Sequence, residues 1–398
     1  MEEFMKYACF FYFFALTVVV NANDGIGWRS DGTGIYTTAT GPYEWSSNKN
    51  VIWKTDIKSF GNATPVIVNN KIFITQEPDM LLCVSLNNGE ILWTRNISPE
   101  DGNRPRTHGT TGYKSPTPVT DGQFIYILNG YGILAKYDFD GEQLWLQKTA
   151  APTHNWGHSA SPVIYDGKLI THVSRELAAY NPETGEVLWK TTLSYNSNWG
   201  TPLKVMMGGA EAGVITTSGH LVRLSDGKVM ASDLYSLPYG SPTVSSDKTI
   251  AYITDEKGSK AIRFPAVADD KCAAETIWSK DLVKHRFYAA PLVHDGLLYT
   301  VSQKGHVFCL DADTGEILWS KEEQMGRGEA YPSIVLLGDK VLVSHEAGKT
   351  FVYEFGREYK APVFVNNIGA FRATPVSFDN NKLLIRTNNA LYCLGATE

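Results

Sequence analysis

A strand-turn-strand pattern of about forty residues recurs along the chain, and units of that size cannot bury a core alone, so they must stack into one array. The clearest copy runs from Ala290 to Val301 as strand, Asp295-Gly296 turn and strand, then through Gly305 to Trp319 as two more strands around Asp313-Thr314-Gly315. The same order spans Ser161 to Trp189 and Pro118 to Trp145. A proline marks the first strand of each unit, at Pro65, Pro118, Pro162, Pro202, Pro242, Pro291, Pro332 and Pro375, which makes eight. A large residue marks the fourth strand at Trp93, Trp145, Trp189, Met230, Trp278, Trp319 and Phe364, which makes seven. The segment Val51-Ile52-Trp53-Lys54-Thr55 has the pattern of Ile91-Leu92-Trp93-Thr94-Arg95 without a unit before it, and it supplies the eighth. The expected fold is therefore all-β: an eight-bladed β-propeller of four-stranded antiparallel blades, closed by an N-terminal strand that completes the last blade and pairs its open edge.

Each outer-strand tryptophan is expected to pack between neighbouring blades and to bury roughly 150–250 Å². The Asn-Asn-Gly-Glu, Asp-Gly-Glu and Asp-Thr-Gly-Glu stretches before these residues supply hairpin turns, where Gly accepts positive φ. Leu310 to Trp319 and Tyr180 to Trp189 resemble the pyrroloquinoline-quinone-like repeat, and the resemblance covers residues 50–398. It implies a single propeller domain over 50–398 behind a lead-in over 23–49. The lead-in, with Gly27-Trp28-Arg29-Ser30-Asp31-Gly32-Thr33-Gly34, resembles that of exported bacterial members. In architecture the chain also resembles the propeller lipoprotein of the outer-membrane assembly machine, which docks a partner through loops, although no lipid-attachment cysteine ends the leader.

Ala8 to Val20 is a continuous apolar run followed by Val20-Asn21-Ala22, so residues 1–22 read as a signal peptide cleaved after Ala22. The run is too short to span a bilayer comfortably, and the expectation is an exported monomer, periplasmic or secreted, without a transmembrane segment after cleavage. A net charge of −6 without a basic stripe argues against a nucleic-acid partner. Cys83, Cys272, Cys309 and Cys393 lie far apart in apolar contexts and are expected to be buried free thiols.

The sequence carries little that specifies chemistry. Quinone-dependent dehydrogenases of the repeat family often use an adjacent cysteine pair, calcium and an acidic base. No Cys-Cys occurs here, so pyrroloquinoline quinone and calcium find no matching residues and no cofactor is expected. Asp311, Asp313 and Gly315 resemble a calcium loop only superficially, because Glu316 stands where its glycine belongs. His154 and His158 are four apart but on no predicted helix, and no metal site is expected. Neither a Gly-x-Ser-x-Gly elbow, a phosphate-binding Gly-Lys-Ser/Thr loop nor a His-Glu-x-x-His helix occurs, so no catalytic residue is assigned.

The loops before the innermost strands converge at one end of a propeller channel and are rich in rings and charges. His108, His154, Trp156, His158, Trp199, Tyr239, Arg286, Tyr288, Arg327, Glu329, Tyr331 and Arg372 are the candidate ligand-binding residues. They either surround a pocket, where rings stack on a sugar or quinone and Arg or His pairs with an anion, or pack on one another and plug the channel. The expected function is noncatalytic binding or scaffolding of a protein, glycan or small-molecule partner. The alternative is a quinone-dependent dehydrogenase or carbohydrate-active enzyme using the same loops.

Overall fold

The computed structural model describes residues 24–58, 61–76, 79–97, 116–151, 157–194 and 199–395. The signal peptide expected over 1–22 lies outside them. The described strands form eight separate sheets, one for each repeat. Blade 1 consists of Val66–Val68, Lys71–Gln76, Met80–Ser85 and Ile91–Asn96, counted from the inside outward. Blades 2 to 7 repeat this order from inner strands Val119–Thr120, Val163–Tyr165, Leu203–Met207, Thr243–Val244, Leu292–His294 and Val335–Leu337. Blade 8 takes Val376–Phe378, Lys382–Arg386 and Ala390–Leu394 from the C-terminal part of the chain, and its outer strand is Val51–Asp56. Lys54 pairs with Tyr392 and Thr55 with Leu391, so the ring closes as its repeat count predicts. At Asp166-Gly167 and Asp295-Gly296 both turn residues have positive φ, which matches the right-handed twist of the strands they join.

The core is divided into eight clusters, each shared by two adjacent blades. The tryptophans work at these seams. The indole N–H groups of Trp53, Trp93, Trp145, Trp189, Trp278 and Trp319 donate to carbonyls of Leu86, Phe139, Pro182, Leu224, Ala312 and Gly356 in the next blade, over 2.8–3.4 Å. A bulge beside the residue preceding most of these tryptophans re-aims the ring, as at Ile91 and Trp93 opposite Val84 and Cys83. The hairpin glycine of the next blade makes room for it: a Cβ on Gly315, which has φ +73°, would stand 2.5 Å from Trp278. Those glycines therefore serve the neighbouring seam as well as their own turn.

Two seams lack an outer-strand tryptophan, at Met230 between blades 4 and 5 and at Phe364 between blades 7 and 8. In the second, Trp45 of the lead-in enters the shared core and is 2% exposed. All four cysteines expected to be free are buried and unpaired, and Cys83, Cys309 and Cys393 occupy third strands of their blades. Burial raises their thiols, Cys83 to about 11 and Cys309 and Cys393 to about 12. Among the described residues no helix is long and apolar enough to cross a membrane.

The lead-in crosses the middle of the ring. Ile26 forms an antiparallel bridge with Thr120 of blade 2, and Gly25 N–H donates to Ile164 O of blade 3. The Asp24 carboxylate meets Lys204 Nζ of blade 4 at 3.0 Å. The fully buried Arg29 donates to Pro291 O and Ile334 O, beside the inner strands of blades 6 and 7. Ile35–Tyr36 then adds to blade 7 as a fifth, parallel strand. Inner strands would otherwise turn unpaired backbone groups into the channel, and the lead-in satisfies several of them.

Candidate functional site

Each inner strand is entered through an extended segment around the marker proline. Alternation in extended chain puts residues two apart on the same side. Two tiers of side chains therefore face the axis at this end of the channel. The inner tier is Thr64, Thr117, Ser161, Thr201, Ser241, Ala290, Ser333 and Thr374, one from each blade. The rim, two positions earlier, includes Asn62, Ser159, Trp199, Tyr239, Tyr288, Tyr331 and Arg372. Trp28 of the lead-in completes the lining of a cavity of about 110 Å³.

The inner tier also ties blade to blade. Backbone N–H groups of Thr64, Thr117, Ser161 and Thr201 donate to the side-chain hydroxyls of Thr117, Ser161, Thr201 and Ser241, over 2.9–3.1 Å. Ser333 N–H donates likewise to Thr374 Oγ1 at 3.1 Å. Ala290 offers no hydroxyl to blade 5, and the chain of bonds is broken there.

Over blades 5 to 8 the rim is a ladder of rings capped by cations. Tyr288 and Tyr331 stack with centroids 4.7 Å apart, and Tyr239 meets the edge of Tyr288 at 5.4 Å. Arg286 lies 4.9 Å over Tyr239, and Arg372 lies 4.5 Å over Tyr331. Arg372 pairs with Glu346 at 2.7 Å, and Glu346 Oε1 accepts the Glu329 N–H. Tyr331 OH donates to Glu329 Oε2 at 2.6 Å; burial, then this carboxylate, push the phenol above its ordinary range.

The expected site residues thus separate. Trp199, Tyr239, Tyr288, Tyr331 and Arg372 line the cavity, while Arg286 and Glu329 buttress its rim from behind. His158 is buried beside the Ala150 carbonyl at 3.3 Å and does not line the cavity. Arg327 is exposed and lies outside the lining as well. His108, His154 and Trp156 fall outside the described residues. Sequence reasoning passed over the inner tier and Trp28. The tier was legible, because Thr64, Thr117, Ser161, Thr201, Ser241 and Thr374 each directly precede a marker proline. Rings that pack on one another and rings that border a cavity are both present here, so the two expectations for these loops describe one arrangement.

The lining bears on the quinone that the repeat is named after. Among the described residues it contains no carboxylate to ligate calcium or to act as a base. Cys83, Cys309 and Cys393 sit singly in different blades, and the lead-in takes up the channel. These residues do not fit pyrroloquinoline quinone with calcium. No group of three or more His, Cys, Asp or Glu among the described residues is placed to hold a metal ion. Asp311 acts as a turn maker: its Oδ1 accepts the N–H groups of Asp313 and Thr314 at 3.1 and 3.0 Å.

Comparison with known proteins agrees with this geometry. A family model described as outer membrane protein assembly factor BamB matches residues 45–204 and 240–357. The unmatched stretch between them covers most of blade 4, where Met230 replaces the seam tryptophan. BamB of Moranella endobia (strain PCIT) is 22% identical over 343 residues, covering 83% of this chain and 84% of that protein. The crystal structure of BamB from Moraxella catarrhalis superposes with a TM-score of 0.63 at 15% identity, covering 87% of this chain and 99% of that one. Quinohemoprotein alcohol dehydrogenase from Comamonas testosteroni also gives 0.63, at 12% identity over 91% of this chain and 79% of that one. Such structural likenesses bear on the fold alone. With the family model matching well over half of the chain, including the whole of blades 1, 2, 3, 5 and 6, the chain belongs to the outer membrane protein assembly factor BamB family.

Proposed function

We propose that this chain is a noncatalytic docking propeller of an extracytoplasmic compartment, which engages a protein partner through the loops at the channel mouth. The observation that carries this reading is the ladder Arg286–Tyr239–Tyr288–Tyr331–Arg372. Tyrosine and arginine held rigid by stacking lose little side-chain freedom when a partner covers them, which is why such residues dominate binding energy at protein interfaces. Among the described residues neither a carboxylate nor a cysteine lines the cavity, which supports binding over catalysis. The names of the relatives support an assembly role, and the lead-in's likeness to those of exported proteins supports the compartment.

A photocrosslinking residue at position 286 tests the docking face in the native cell envelope, with position 381, in a hairpin at the opposite end of blade 8, as the comparison. A discrete crosslinked partner from 286, absent from 381 and weakened at least about tenfold by Tyr288→Ala, is expected. Equal crosslinking from both positions would reject docking through the channel mouth.

A further inference from the structure

We infer that the channel mouth is a binding site for an oxyanion group, a carboxylate or a phosphate, held on the ring axis by the inner tier of hydroxyls. Thr117, Ser161, Thr201, Ser241 and Thr374 each accept a backbone N–H from the neighbouring blade. A hydroxyl that accepts such a bond still has its own proton to donate. None of these five donates a hydrogen bond to another described group, and all are more than nine-tenths buried. A buried donor without an acceptor is costly, so the protons are left to the cavity that all five border.

Three further lining residues add donors, beside Asn62, Ser159 and Tyr331, whose oxygens offer acceptors. Trp28 brings an indole, whose single polar atom is a donor. Ser333 brings a hydroxyl that bonds no other described group. Arg372 adds a guanidinium, but Glu346 balances its charge, so fixed neutral donors carry the recognition. A sugar hydroxyl both donates and accepts, whereas an oxyanion only accepts, and convergent donors with no carboxylate among them match the second. The blade-to-blade bonds hold the donors in place before any ligand arrives, which lowers the ordering cost of binding. The volume of about 110 Å³ is several times the roughly 10–15 Å³ that one water needs.

This site does not rest on partner docking, since a free anion would bind even if nothing docked on the rim. Isothermal titration of the full chain at constant ionic strength, with sodium phosphate, sodium acetate and glucose as probes, tests it. Saturable binding of phosphate or acetate, and none of glucose, is expected. Ser333→Ala removes a donor without removing a blade-to-blade bond, and it should weaken oxyanion binding about tenfold at an unchanged melting temperature. Ala290→Ser, which restores the missing hydroxyl, should strengthen it. A tetrapeptide with a free C-terminus that binds more tightly than acetate, while its amidated form does not bind, identifies a carboxylate delivered on a chain; equal affinity for the free tetrapeptide and acetate identifies a free anion. No saturable binding of either oxyanion, equal binding of glucose, or full affinity in Ser333→Ala overturns the inference, and none of these results bears on crosslinking from position 286.

Discussion

His172 has no hydrogen-bond partner at either ring nitrogen and is completely buried. It lies on the second strand of blade 3, two positions from Ile170, and alternation turns both toward the seam with blade 4. Desolvation, then the nearby His220 and His158, lower its pKa from 6.5 to about 3. The folded state therefore refuses a proton that the unfolded chain takes up below about pH 6.5. Its neutral form adds no penalty above that pH, and stability is lost as pH falls from about 6.5 toward about 3. Urea midpoints measured between pH 7 and 5 should fall more steeply for the wild type than for His172→Leu. Parallel curves would show that this histidine does not set the acid sensitivity.

At the scale of strands, closure depends on one element contributed from far away in sequence. Val51–Asp56 pairs along Ala390–Leu394, and Trp53 caps the seam with blade 1 through its bond to Leu86 O. Removing residues 51–56 exposes that edge and takes away a seam indole. Amide exchange over Lys382–Leu394 should then accelerate selectively, while Leu292–Val301 in blade 6 stays protected. Unchanged exchange in blade 8 would mean that the strand is dispensable for closure. The seam tryptophans explain why the outer strand, the least buried of each blade, still carries a recognisable residue: its ring belongs to the core of the next blade.

For the molecule as a whole, the lead-in converts an open channel into a filled one. Its contacts run from blade 2 at Thr120 to blade 7 at Leu336, and Arg29 is its most buried charged group. Desolvation dominates the environment of that guanidinium and lowers its pKa to about 10, so it stays charged at neutral pH. Arg29→Ala strips donors from Pro291 O and Ile334 O and leaves a void on the axis. The expected loss is about 2 kcal/mol, read from the urea midpoint at an unchanged m-value. An unchanged midpoint would show that water replaces the guanidinium without cost.

The ring was readable from one chain because its determinants are local and repeated. Pro65 and its seven counterparts and the Asp-Gly turns each report on neighbours within their own unit, and eight copies make the count robust. Part of the mouth was equally legible: Tyr239, Tyr288 and Arg372 stand at one offset before marker prolines and converge as their repeat positions require, whereas Tyr331 directly precedes Pro332. His158 and Arg327 share those loops without lining the cavity: His158 is one residue out of step with the rim residue Ser159, and Arg327 lies four residues before Tyr331, farther out along its loop. What the sequence determined by itself was the closed eight-bladed propeller, since local periodicity and one orphan strand leave no other way to pair the edges. Only the tertiary structure decided how that ring is filled: that Trp28 and Arg29 enter the channel, that Trp45 replaces a missing seam indole, and that eight loops leave a donor-lined cavity. Those contacts join residues as far apart as Trp45 and Asn366, 321 positions, and no short-range pattern encodes a meeting on an axis that exists only once the ring has closed.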